Sequence, residues 1–159
     1  MNPGRPKRLA RDRYVGEWKI AFTMNIFDRQ KVFVDDEVVA VHVEKLGSVA
    51  HTFGCVVPIY CFMPDHAHIL LMGTSVTSDL LAAIIKYKST SGYWMYQSRL
   101  PRWQPSFYDH VLRADEDWCH QVWYIAQNPI RAGLVENWSE YPYTGSIGCD
   151  LQDIVSGYA

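Results

Sequence analysis

With 159 residues, 48% hydrophobic and 14% aromatic, the chain can bury one substantial core, which excludes a disordered or low-complexity protein. No apolar run reaches the ~20 residues that span a bilayer, and no hydrophobic segment follows the charges of "MNPGRPKRLARDR", so a soluble cytoplasmic protein without a membrane partner is expected. The net charge of -2 is uneven: residues 1–13 and 86–113 are basic, whereas residues 34–80 hold six acidic groups against Lys45, a pattern that can offer phosphates a localised footprint.

Residues 1–13, rich in Pro, Gly and Arg, read as a flexible basic arm carrying Arg5, Arg8, Arg11 and Arg13. "EWKIAFTMNIF" is rich in strand formers and is a first strand. "DDEVVAVHVEKLG" opens with acids, which suit a helix N-terminus, and Gly47 offers its stop. "HTFGCVVPIYCFM" and "HAHILLMG" then read as antiparallel strands joined by the turn "PD". "TSDLLAAIIKYKSTSGYWMYQ" is helical, capped at Thr77 or Ser78, with Leu80, Leu81, Ile84, Ile85 and Lys88 recurring at three and four. "PSFYDHVLR" is a fourth strand, with Tyr108, His110 and Leu112 on one face and Phe107, Asp109, Val111 and Arg113 on the other. "DEDWCHQVWYIAQ" is a helix that Pro129 limits. This order fits an α+β, ferredoxin-like sandwich: one antiparallel sheet with helices packed on one face. The domain is expected over residues 14–146, followed by a C-terminal tail, 147–159. Cys55, Cys61, Cys119 and Cys149 form no C-x-x-C pair, so neither a zinc knuckle nor a disulfide framework is indicated.

Two features carry chemistry. In "CFMPDHAHILL", a strand would turn His66 and His68 to the same side, their Cα atoms ~6.6 Å apart, where both imidazoles can reach one divalent ion at ~2.1 Å. The competing reading is a pair of structural histidines at a strand start. In the last long helix, His120, Tyr124, Gln127 and Asn128 share a face. Packing alone could account for the tyrosine, and Asn128 before Pro129 could cap a one-turn helix.

Taken together, "MPDHAHIL", "WQPSFYDHVLR" and "WYIAQNPIRAGLV" resemble the single-tyrosine HUH transposases, in particular the REP-associated tyrosine transposases, in order and spacing from about Tyr14 to Tyr143. "YPYTGS" is similar to that family's terminal segment. The resemblance implies a ferredoxin-like core, a divalent ion (Mg²⁺ or Mn²⁺) held by His66 and His68, and Tyr124 as nucleophile. The third protein ligand falls at Asn128, as in the REP-associated branch, or at Gln127 beside it. The implied product is a phosphotyrosyl bond to a DNA 5′ end and a free 3′ hydroxyl, formed next to palindromic hairpins in single-stranded DNA by an enzyme expected to act as a monomer.

The chemistry is coherent with these parts. A metal bound to a non-bridging phosphate oxygen lowers the barrier to attack on a phosphodiester. A tyrosine, with an ordinary pKa of ~10, must lose its proton as it attacks, and His120 is one candidate base. For the DNA itself, the arm and Lys86, Lys88, Arg102 and Arg113 are candidate phosphate contacts. Trp103, between Arg102 and Phe107, is a candidate stacking platform for bases, with burial in the core as its other reading. Two rival functions remain open: a domesticated hairpin-binding protein without recombination activity, and a metal-dependent nuclease that uses water and forms no covalent intermediate.

Overall fold

In the computed structural model, which describes residues 8–158, strand β1 (Lys19–Asn25) alternates half-buried with fully buried residues along its whole length. Helix α1 (Asp36–Phe53) follows, then the hairpin β2 (Cys55–Met63) and β3 (His66–Gly73), helix α2 (Leu80–Gln97) and strand β4 (Tyr108–Val111). Helix α3 (Trp118–Ala126), the one-turn α4 (Asn128–Arg131), strand β5 (Thr144–Ile147) and helix α5 (Leu151–Val155) complete the chain. The five strands form one sheet in the order β4-β1-β3-β2-β5, antiparallel throughout.

The sheet has two differently covered faces. On the first, Ile20, Phe22, Ile69 and Leu71 pack against Leu46 and Val49 of α1 and Ala83, Ile84 and Tyr87 of α2. On the second, Ile59, Cys61 and Leu70 pack against Val122, Ile125 and Ala126 of α3 and Leu151 and Val155 of α5. The predicted α+β class and antiparallel sheet are present, but the expectation that the helices pack on one face holds only for α1 and α2: α3 and α5 lie across the other. The reason is visible in β2 and β3, which are buried on both sides; strands apolar on both faces require cover on both.

A register shift between Val56 and Ile59 in β2 decides which residues face which layer. Val57 lies in the first core, whereas Ile59, Cys61 and Met63 lie in the second, although all four are odd-numbered. The irregularity turns the strand by one residue at Pro58, which lacks the N–H a regular ladder needs.

Several boundaries differ from the predicted ones. Helix α1 passes through Gly47 and ends at Gly54, whose φ of 72° and ψ of 40° give the left-handed C-cap that glycine adopts without a Cβ penalty. The strand expected from His51 therefore begins at Cys55. Helix α2 is capped by Asp79, which accepts from the Ala82 N–H, while Ser78 is buried and donates to the Gly54 carbonyl. The segment expected as a tail contains α5, capped by Asp150. The expected flexible arm also needs correction over residues 8–13. Arg8 donates to the Phe107 carbonyl at 2.6 Å and pairs with Asp109, and Arg11 grips Asp79 through both terminal nitrogens. Arg5 lies outside the described residues. No helix among those described is long and apolar enough to cross a membrane.

Candidate active site

The strand register puts both histidines on the second face. Ala67, Ile69 and Leu71 enter the first core and Leu70 the second, so His66 and His68, in phase with Leu70, point toward the layer that contains α3. Their ring centroids are 4.9 Å apart with planes at 88°. Each Nδ1 is engaged from behind. His66 Nδ1 lies 2.6 Å from Asp65 Oδ1, and Asp65 Oδ2 accepts from Arg29 Nε at 3.0 Å. His68 Nδ1 lies 3.2 Å from the hydroxyl of Thr23, its partner across β1. Among the described residues neither Nε2 has a hydrogen-bond partner.

The electrostatics favour uncharged imidazole at His68. Burial, then the charges of His66, Arg131 and Arg29, push it down to about 4. Burial alone would raise the Asp65 carboxyl, but the bonds from Arg29 and His66 outweigh it and hold the group below its ordinary value. A carboxylate fixed on Nδ1 orients an imidazole and leaves Nε2 as the coordinating atom.

On α3, the apolar positions Val122, Ile125 and Ala126 face the sheet, while Tyr124 is 50% exposed. The Asp117 carboxylate caps this helix by accepting from the His120 N–H. Arg131, on α4, ties the segment together. Its guanidinium carbon lies 4.1 Å from the centre of the Tyr124 ring, and its Nη2 donates at 3.0 Å to both the Tyr124 carbonyl and Asn128 Oδ1. Asn128 Nδ2 donates to the Ile125 carbonyl, so the amide orientation is fixed and its oxygen keeps a second lone pair. Gln127 is the C-cap of α3, its N–H bonded to Trp123 and Tyr124 carbonyls. His120 stacks on Trp123 and packs near Tyr158. That is a packing role.

The other predicted contacts divide. Trp103 is 6% exposed and its indole N–H donates to Ser91 Oγ; it belongs to the core and offers bases no face, because its ring fills the space between Phe33, Tyr87 and Gly92. Lys86 stands on α2, over the first face and away from the histidines, beside Lys45 and Thr52. Lys88 donates to the Ser106 carbonyl. Arg13 lies near the Trp18 ring, Arg113 pairs with Asp115 and Glu116, and Arg102 is exposed over Phe27. The sequence reading missed Thr23, Arg29, Asp65 and Arg131. Only Asp65, adjacent to His66, carried a local signal; the others depend on strand pairing or on a seven-residue reach.

A profile of the family described as transposase IS200-like matches residues 14–115, more than half of the chain. The chain belongs to the IS200-like transposase family. The family match spans β1 to β4 and the histidine pair and stops before Tyr124 and β5. A Haemophilus influenzae protein assigned as a REP-associated tyrosine transposase is 29% identical over 140 residues, covering 77% of this chain and 76% of the relative. An Escherichia coli K12 REP-associated tyrosine transposase is 40% identical over 42 residues, 26% of each chain. A solved structure of a REP-associated tyrosine transposase bound to a REP hairpin aligns with a TM-score of 0.72 at 21% identity, over 89% of this chain and 81% of that one. That alignment shows a shared fold. The family places this chain among enzymes that cut and join DNA.

Proposed function

We propose that this IS200-like transposase cleaves and rejoins single-stranded DNA beside a hairpin through a covalent bond to Tyr124. The observation that carries the reading is the shared face: two histidines with Nδ1 atoms held from behind and Nε2 atoms free, and a helix bearing an exposed tyrosine packed over the same side of the sheet.

The donor set suits a divalent ion such as Mg²⁺ or Mn²⁺. Among the described residues no cluster of three His, Cys, Asp or Glu side chains exists, so a third protein ligand must come from another donor. Asn128 Oδ1 would be that ligand, with Gln127, at the helix end, as the alternative. When bound, such an ion supplies charge to a non-bridging phosphate oxygen and fixes the phosphate's orientation. His66, His68 and Asn128 would hold it, leaving room for DNA.

The remaining work belongs to the chain's own groups. Tyr124 Oη forms a bond to phosphorus as the bond from phosphorus to the upstream 3′ oxygen breaks. The phenol's proton passes to solvent, and the departing 3′ oxygen gains one. One phosphodiester replaces another, so the 5′-phosphotyrosine keeps the energy of the cleaved bond and a second 3′ hydroxyl can reverse the step without ATP. Arg131 holds the Tyr124 ring and the Asn128 amide in place. The chain acts as a monomer in this scheme, since β3, α3 and α4 of one copy supply every named group.

The test is incubation of 5′- and 3′-labelled hairpin oligonucleotides with Mg²⁺ or Mn²⁺, then a denaturing gel. The reading expects metal-dependent cleavage with the downstream fragment shifted by the mass of the protein. Hairpin binding without cleavage would favour a domesticated binding protein, and two free fragments a nuclease that uses water.

A further inference from the structure

At the end of the sheet that carries His66, the chain leaves β1 in an unusual way. Asn25 pairs with His66 across the ladder, Ile26 is buried and bridges to Trp103, and the next residues, Phe27–Arg29, form a tight turn. Asp28 and Arg29 both take positive φ, 57° and 51°, although neither is glycine. Consecutive left-handed residues of this kind are disfavoured and persist where their surroundings enforce them. Here Arg29 is anchored by Asp65 Oδ2 at 3.0 Å and lies 3.4 Å from His66 Nδ1. The strain returns no burial, because Phe27, Asp28 and Arg29 are all exposed.

Phe27 is left 41% exposed, and the Arg102 guanidinium carbon sits 4.2 Å from its ring centre. The backbone of the two residues is locked together, the Phe27 N–H donating to the Arg102 carbonyl at 2.8 Å. Among the described residues the Arg102 guanidinium has no carboxylate or carbonyl partner, unlike those of Arg8, Arg11, Arg29 and Arg131. An exposed ring held by a cation with its N–H groups free matches what single-stranded nucleic acid offers: a base for the ring and a phosphate for the guanidinium.

We infer that Phe27 and Arg102 form a nucleobase-stacking site for the unpaired strand next to the scissile phosphate, Phe27 taking the base and Arg102 its phosphate. The inference rests on the proposed DNA-cleaving reading and deepens it. It moves the stacking role from Trp103, which is buried, to Phe27, which the turn displays. The anchoring of Arg29 to Asp65 and His66 couples that display to the metal-binding pair.

The test compares Phe27→Ala, Phe27→Trp and Arg102→Ala with wild type on two oligonucleotides, one a blunt hairpin and one the same hairpin with a single-stranded extension. Phe27→Ala should lose about tenfold in affinity for the extended oligonucleotide and leave the blunt hairpin unchanged, as stacking acts only on an unpaired base. Phe27→Trp should restore the affinity. Arg102→Ala should weaken binding of the extension and flatten its salt dependence. A 2-aminopurine scanned along the extension should be quenched at one position by wild type and not by Phe27→Ala. If wild type forms its covalent product and Phe27→Ala binds the extension equally well, the stacking site is wrong and the functional reading stands. If wild type binds neither oligonucleotide, both fail.

Discussion

Arg131→Ala separates positioning from binding at the proposed site. The substitution removes the contact with the Tyr124 ring at 4.1 Å and the two donated bonds of 3.0 Å to the Tyr124 carbonyl and Asn128 Oδ1. A cation over a partly exposed ring contributes ~0.5–1 kcal/mol, and each charge-assisted bond at a solvated site roughly as much. The total is about 2 kcal/mol, which now restrains the proposed nucleophile and the amide beside it. Released from that restraint, the two groups are correctly placed less often, and the chemical step should slow by up to ~30-fold. The assay is single-turnover formation of the protein–DNA adduct at saturating hairpin oligonucleotide, with affinity measured separately. Affinity should change much less than rate. Arg131→Lys keeps the charge but cannot serve ring, carbonyl and amide together, so it should recover only part of the rate. An alanine variant with wild-type single-turnover kinetics would refute the positioning role.

His66→Ala and His68→Ala should each abolish metal-dependent cleavage while hairpin affinity, measured by gel shift, falls only slightly; full activity in both would remove the metal site. Stability should fall in mild acid because of His42, which is fully buried, 2.7 Å from the Tyr87 hydroxyl, and pushed down to about 3 by burial and then by Lys45. The unfolded chain binds a proton below ~6.5 while the folded one does not. Stability is therefore present above that pH and is lost as pH falls toward 3, by on the order of 2 kcal/mol at pH 5. His68, pushed down to about 4, adds to the slope, so denaturant titrations of His42→Phe should show a shallower acid dependence that does not vanish. Trp103→Phe, which deletes the bond to Ser91 and leaves a space in the core, should destabilise by about 1–3 kcal/mol without changing the DNA affinity of the folded protein. A weakened affinity with unchanged melting would restore Trp103 to the DNA surface.

The parts of the fold that repeat a simple period were legible. Alternation gave the faces of β4 and three-to-four spacing gave α2, since these patterns report directly which side is buried, while strand-forming residues gave β1 and the turn "PD" gave β2 and β3. The histidine pair was legible for the same reason, its i, i+2 spacing fixing one face. Helix α5 and strand β5 were missed, as four- and five-residue elements are too short to show a period and depend on tertiary cover. The end of α1 was misplaced because Gly47 and Gly54 look alike in sequence, and only Gly54 meets the left-handed requirement. Charge was the poorest guide. Arg8, Arg11 and Lys88 stood out as basic residues, yet they are bound to Asp109, Asp79 and the Ser106 carbonyl, partners 18 to 101 residues apart in no pattern a single sequence displays. Arg131 went unnoticed within a motif recognised for its tyrosine and asparagine, because its function lies in a reach back over both.

The central claim is that Tyr124 becomes covalently attached to DNA, and trypsin offers a direct way to see it. Cleavage at Arg113 and Arg131 releases residues 114–131, a peptide in which Tyr124 is the sole tyrosine. After incubation with divalent metal and a hairpin oligonucleotide, nuclease trimming and mass spectrometry should find this peptide carrying a nucleotide 5′-phosphate, and Tyr124→Phe should yield no such species while still binding the hairpin. Efficient cleavage by wild type with the peptide unmodified, or an adduct on any other tyrosine, would contradict the account.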